Sequence, residues 1–538
     1  MAYNRPYPLY ELPHCDSLRH MIEQQVREDP KRIAFRFRKG RQIVDKTVSE
    51  FLNDIDALGA WLIHAGFGGG HTALIAPNSY EWLVVCFAVI SSGGVLAPID
   101  RDLTAAEQAR LLAHSESAVA FVADRLAGGV AEAASDMRLI RLSGLDGMLA
   151  EGRALLEAGE RGPADCPQDV NRLALIVYTS GTTGGSKGVM LNQANLLADI
   201  NQGCRNFDPE GPSLSVLPYH HMFGLVVALM MLVNWRSTVF INAGLKTLMA
   251  DFQEQKPVTT MLVPLHIQTF HRMVMEKAKK EGKYKKLRAG MKLSLFLYRL
   301  GIDVRAKLMA EVRAPFGGNL RYILVGGAAL DPFYEREYRA WGIDLITAYG
   351  ATECSPGIAA SRNHYHKDGA VGLPVLDNEV HAAADGEIMI RGPIVMMGYW
   401  RDEAATAEAI RDGWYASGDL GYVDKDGFVF LTGRKKNLII LSDGENVSPE
   451  ALESRLGLIE GIAEVLVYQD GDAIAAAIFP DEAHMGDQAY FDQKIERFNE
   501  TLPPAQKIRR VTLRTVEFPK NSSRKILRHE ARKEIEHA

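Results

Sequence analysis

Six short apolar, β-rich runs at residues 73–75, 95–99, 173–178, 238–241, 260–263 and 322–325 are separated by helix-like stretches. Strands alternating with helices favour parallel pairing, because a parallel pair needs a long crossover that a helix fills. The predicted fold class is therefore α/β, a large N-terminal domain of layered sheets and helices. At about 150 residues per domain, a chain of 538 residues is too long for one small module. The texture changes near Gly372, where strand candidates at 387–390 and 428–431 sit among Gly, Asp and Pro turns. This predicts a β-rich subdomain over about 372–432, which completes an N-terminal domain of residues 1–432. Beyond Gly433, strand candidates at 439–441 and 465–468 and helix candidates at 449–456 and 488–501 predict a small α+β domain, 433–538. The boundary is expected at 433–436.

Sixty-one Lys and Arg against 67 Asp and Glu give a net charge of −6, so nothing favours general nucleic-acid binding. Five scattered cysteines with no C-x-x-C pair argue against a disulfide framework or structural zinc, and fit a cytoplasmic protein. The first 16 residues lack the basic and apolar regions of a signal peptide. The longest apolar runs, 82–90 and 225–233, are about half of the roughly 18 residues a spanning helix needs. They read as buried helices, so no transmembrane segment is expected, while peripheral membrane contact stays open. The basic run 275–292 reads as a solvated helix face.

The segment richest in chemistry is LALIVYTSGTTGGSKG at 173–188, with an apparent helix from about Gln193. Glycines let backbone N–H groups close around phosphate oxygens, hydroxyls add donors, and Lys187 adds positive charge. It differs from a Walker A loop, because Ser186 precedes the lysine and Gly188 follows it.

This segment resembles the phosphate loop of the adenylate-forming superfamily, which includes acyl-CoA synthetases, peptide-synthetase adenylation domains and luciferases. Ser186 replaces the usual proline. Further motifs follow in the family's order: GGAAL at 326–330, YGATE at 349–353, WYASGD at 414–419, GRKK at 433–436 and PKNSSRKILR at 519–528. The resemblance implies a nucleotide site built from Thr179, Ser180, Gly181, Thr182, Thr183, Gly184, Lys187, Gly327, Ala328, Ala329, Tyr349, Gly350, Thr352, Asp419, Arg434 and Lys525. It also implies ATP, Mg²⁺ and CoA as cofactor and co-substrates. Joining a carboxylate to AMP sets an anion against an anionic phosphate, so positive charge and alignment come first. Glu353, with Thr182, is the implied Mg²⁺ ligand, and Thr352 the α-phosphate donor. Asp419 suits a ribose diol with Arg434 beside it, and Tyr349 suits the adenine face. Plain packing remains the alternative for Tyr349 and Thr352. Lys525, with Arg524 in place of the usual glycine, would neutralise charge during adenylation, and Lys436 would be the hinge of a mobile C-terminal domain. Cys354 reads as packing.

The acid is narrowed by PYHHMFG at 218–224. Relatives that activate amino acids place an Asp there for the α-ammonium, and this chain has His221, Met222 and Phe223. His221 would line or gate an acyl pocket walled by Met222, Phe223, Leu225, Val263 and Pro264, with small Gly326, Gly327 and Ala328 leaving room; a core histidine is the alternative. The basic run and NLIILSDGENVSP at 437–449 are most similar to bacterial long-chain fatty acyl-CoA synthetases. The expected activity is ATP-dependent acyl-CoA ligation through acyl-AMP, with Lys525, Thr182, Lys187, Glu353 and His221 as catalytic candidates. An aryl acid, an acyl carrier protein thiol as acceptor, and a non-catalytic acyl or nucleotide sensor are the other readings.

Overall fold

The computed structural model describes residues 9–179, 186–242, 244–441, 445–520 and 526–537. Two large twisted sheets dominate it. The seven-stranded sheet runs Gly398–Tyr399, Lys187–Asn192, Leu173–Thr179, Val95–Pro98, His71–Ile75, Val119–Val122, Arg138–Arg141. The nine-stranded sheet runs Leu373–Pro374, Gly357–Ala360, Asp344–Gly350, Tyr322–Val325, Thr259–Leu262, Ser213–Ser215, Val239–Ile241, Ile33–Lys39, Gln42–Thr47. The nine-stranded sheet is parallel in its middle and antiparallel at both edges, whereas the seven-stranded sheet is antiparallel only at the edge formed by Lys187–Asn192 and Gly398–Tyr399.

Period-two alternation gives each strand two apolar faces. Leu74 enters the core between the sheets, while Ala73 and Ile75 enter the opposite one with Leu111, Leu112 and Val130. Tyr322 and Leu324 face the shared core, and Ile323 and Val325 the outer core with Trp341 and Phe316. Both apolar runs are buried helices, as expected. Every residue of Tyr80–Ser91 except half-buried Glu81 is buried, so a helix hydrophobic nearly all round lies between the sheets. The second run, Phe223–Met231, is wound more widely than an α-helix, as a π-helix that continues into Leu232–Asn234.

An antiparallel five-stranded sheet built on Trp414–Val423, with Glu379–Ala382, Glu387–Arg391, Ile410–Arg411 and Val429–Arg434, is the β-rich subdomain. From Ile439 onward a separate core forms, in which Leu452, Val465, Ile478, Phe491 and Ile508 pack together. Its three-stranded sheet, Ile462–Asp470, Ala473–Pro480 and Ile508–Leu513, carries helices Pro449–Leu456, Gln488–Asn499 and Arg528–Glu536. No helix among the described residues is long and apolar enough to cross a membrane.

Candidate active site

The sequence predicts a loop passing into a helix after Lys187, and the structure inserts a strand. Lys187–Asn192 folds back antiparallel on Leu173–Thr179, pairing Lys187 with Thr179. Helix Gln193–Gly203 then starts where expected, capped by Asn192. Lys187 is thus fixed by a sheet ladder. Ser180, Gly181, Thr182, Thr183, Gly184 and Lys525 lie outside the described residues.

The other candidates gather at the carboxyl ends of parallel strands, the usual ligand edge of an open α/β sheet. Thr179 ends one strand of the seven-stranded sheet; Val263, Gly326 and Gly350 stand at the ends of strands in the nine-stranded sheet. After Gly326, Gly327, Ala328 and Ala329 form an exposed loop. Gly350 cannot carry a side chain, because a Cβ there would lie 2.2 Å from the Pro356 carbonyl oxygen. That close approach forms the tight turn carrying half-buried Thr352 and Glu353.

A strap, 393–400, joins this turn to the phosphate-loop hairpin. Met396 N donates to the Glu353 carbonyl (2.9 Å), Met397 N to Met190 O (3.0 Å) and Trp400 N to Gly188 O (2.7 Å). The strap delivers Tyr399, which the motif reasoning missed. Tyr399 Oη donates to Glu353 Oε1 at 2.9 Å, while the Lys187 ammonium lies over its ring, 4.8 Å from the centroid. Burial, followed by the Glu353 charge, holds the Tyr399 phenol above its ordinary value and keeps it a donor. One buried tyrosine therefore connects the cation and the carboxylate. The signal was the tyrosine of Gly398-Tyr399-Trp400, but only pairing of distant strands gives it meaning.

Beside this group, Tyr349 Oη donates to Asp419 Oδ2 at 2.7 Å, and Arg434 Nε donates to Asp419 Oδ1 at 2.7 Å. Asp419 and Arg434 are cross-strand partners. Tyr349 and Asp419 are buried, and Arg434 is half-exposed. Desolvation opposes the Arg434 charge, but Asp419 outweighs it and holds the guanidinium above its ordinary value. Lys436 follows on a short turn, where partial burial and Arg434 lower its ammonium. Cys354 is fully buried, and burial pushes its thiol up, which fits packing.

The acyl-wall candidates also converge. Gly224 lies against Pro218, where a Cβ would come 2.1 Å from the carbonyl oxygen. Two residues that sequence reasoning missed clasp this turn from the other sheet. Asn78 donates to Leu217 O at 2.7 Å and accepts from Tyr219 N at 3.0 Å, and Asp100 lies 3.4 Å from His220 Nε2. His220 is buried and lies against half-buried His221, with ring centroids 4.3 Å apart and the planes tilted by 48°. Met222 and Val263 are buried. The room expected at Gly326 is filled from one side: its missing Cβ would lie 3.2 Å from Phe223 Cζ and from Ala348 O. Phe223 therefore abuts Gly326, which the neighbouring Tyr349 strand approaches through Ala348 O.

A family model described as AMP-binding enzyme matches residues 22–400. The chain is 33% identical over 494 residues to the long-chain-fatty-acid–CoA ligase FadD15 of Mycobacterium bovis, covering 86% of this chain and 82% of that protein. It is 27% identical over 513 residues to the indoleacetate–CoA ligase of Aromatoleum aromaticum, covering 89% and 91%. The ATP-bound crystal structure of MatB from Rhodopseudomonas palustris shares the fold, with a TM-score of 0.76 at 23% identity, covering 96% of this chain and 99% of that one.

Proposed function

This chain belongs to the AMP-binding enzyme family and is an ATP-dependent, AMP-forming acid–CoA ligase, and we propose that its acid is a medium-to-long-chain fatty acid. The observation that carries the reading is the apolar set of Met222, Phe223 and Val263, with Phe223 against Gly326, in place of an Asp in the segment 218–224. The carboxylate that does approach this wall, Asp100, faces His220. Kinship with FadD15 supports a fatty over an aryl acid.

In this reading Lys187 and the hydroxyl and glycine loop receive the polyphosphate, Asp419 accepts from the ribose hydroxyls, and Arg434 holds Asp419 in place. Glu353 suits Mg²⁺, because Tyr399 donates to Oε1 and, among the described residues, no hydrogen bond is made to the other oxygen, which suits a hard cation. Bound Mg²⁺ would offset phosphate charge. Lys525 neutralises charge during adenylation. Strand Val429–Arg434 keeps Arg434 on the β-rich sheet, so the division expected at 432/433 moves past that strand, and the residues beyond Lys436 turn about it between adenylation and thioester formation. The five cysteines, all free thiols, fit a reducing cytoplasm.

A panel of fatty, aryl and amino acids, followed by AMP release and by thioester formation on CoA or a phosphopantetheinylated carrier protein, tests the reading. Fatty acids should rank first and CoA should be the acceptor. Activity confined to aryl or amino acids, or to the carrier, would replace it.

A further inference from the structure

Helix Tyr284–Arg299 is apolar on two sides. Its inner side is accounted for: Met291 and Ser294 are buried, Ser294 Oγ donates to Ala340 O at 2.8 Å, and Leu287 and Leu295 pack on the outer core. The outer side should then be polar. Instead Leu293, Phe296, Leu300 and, just beyond, Ile302 are 49%, 59%, 61% and 50% exposed. At 3.6 residues per turn, Leu293, Phe296 and Leu300 fall within a wedge roughly 60° wide. Lys286 borders the wedge on one side, and Lys285, Lys292 and Arg299 border it on the other. All four cations are exposed, and none has a carboxylate partner among the described residues.

We infer that this face is a membrane-docking surface that seats the enzyme on an anionic lipid bilayer. An amphipathic helix with large apolar side chains between lysines matches the interfacial zone, where acyl chains meet acidic headgroups. The charges favour lipid over a second copy of the chain. A two-fold contact would set the same lysines against each other, whereas acidic headgroups pair with them. The preceding helix, Pro264–Lys280, starts beside Val263 and ends among Lys277, Lys279 and Lys280. Its 17 residues span about 25 Å, which links the docking face to the proposed acyl wall through one rigid element. The docking itself does not depend on which acid is activated.

The test is co-sedimentation of the full chain with vesicles of equal parts phosphatidylglycerol and phosphatidylcholine, and with phosphatidylcholine alone. Binding should be confined to the anionic vesicles and should fall with added salt. Phe296→Ser or Leu300→Ser should weaken it about tenfold or more, and each of Lys285→Gln, Lys286→Gln and Lys292→Gln about fivefold. All five should keep the wild-type near-UV circular dichroism and the rate of acyl-CoA formation from a water-soluble acid. Equal binding to neutral vesicles, no binding, or a dimer that Phe296→Ser dissolves without any vesicle binding would each overturn the inference.

Discussion

Removing one hydroxyl, with Tyr399→Phe, isolates how the Glu353 carboxylate is held. The change keeps the ring beneath Lys187 and deletes only the 2.9 Å bond to Glu353 Oε1. A hydrogen bond to a charged group contributes about 1.5–3 kcal/mol. Glu353 is half-buried, so solvent replaces part of that and the lower end applies. About 1.5 kcal/mol corresponds to roughly a tenfold effect. The assay is ATP–pyrophosphate exchange with the acid present, titrated with Mg²⁺ at fixed ATP. The Mg²⁺ concentration for half-maximal exchange should rise about tenfold. Tyr399→Leu removes the ring as well, and losing a cation–π contact of about 0.5–2 kcal/mol should raise the ATP requirement a further ~2–30-fold. In a Glu353→Gln background, Tyr399→Phe should change the Mg²⁺ curve little, because the two residues act through one bond. A wild-type Mg²⁺ curve in Tyr399→Phe, even with a lowered melting temperature, would reduce Tyr399 to packing. An undiminished effect in the Glu353→Gln background would place the metal elsewhere.

Lys525→Ala should nearly abolish acyl-AMP formation while leaving thioester formation from supplied acyl-AMP largely intact, and Lys436→Pro should show the opposite split by fixing φ at the hinge; equal loss of both half-reactions in both variants, with folding intact, counts against domain alternation. Asp199 gives a pH prediction, because complete burial, only partly offset by the Gly357 N–H at 2.9 Å, pushes its carboxyl up to about 7. Below its ordinary value both folded and unfolded chains hold the proton, so the protein is spared the cost of a buried charge. Between about 4 and 7 the unfolded chain alone releases it, and stability should fall with rising pH by up to about 4 kcal/mol in all. Asp199→Asn, neutral at every pH and still able to accept from Gly357, should raise the melting temperature at about pH 8 and leave it nearly unchanged at about pH 4. Equal shifts at both pH values would rule out the carboxyl as the source.

Local patterns made much of the chain legible. The strands at 73–75 and 322–325 are short apolar runs whose alternate residues feed two cores, and that two-sidedness is written in composition. Helix Gln193–Gly203 starts at its Asn192 cap, a local hydrogen-bonding preference. Asp419 and Arg434 were legible as separate motif residues. Their pairing, however, depends on strand register, because only antiparallel alignment of Trp414–Val423 with Val429–Arg434 sets the carboxylate against the guanidinium.

Register and long-range packing decided the rest. The return strand at Lys187–Asn192 pairs on both edges, and its three apolar residues, Val189, Met190 and Leu191, were too few to stand out from the helix beyond. Tyr399 became a site residue only when the 393–400 strap crossed from Glu353 to Gly188. Asn78 and Asp100 reach the turn 217–221 from the segments that follow strands His71–Ile75 and Val95–Pro98 of the other sheet, more than a hundred positions away in sequence. The basic run 275–292 shows the same division. Its charge was plain in the sequence, but periodicity alone cannot tell which of two apolar helix faces is buried. Packing of Met291, Ser294 and Leu295 on the outer core made that choice and left Leu293, Phe296 and Leu300 exposed.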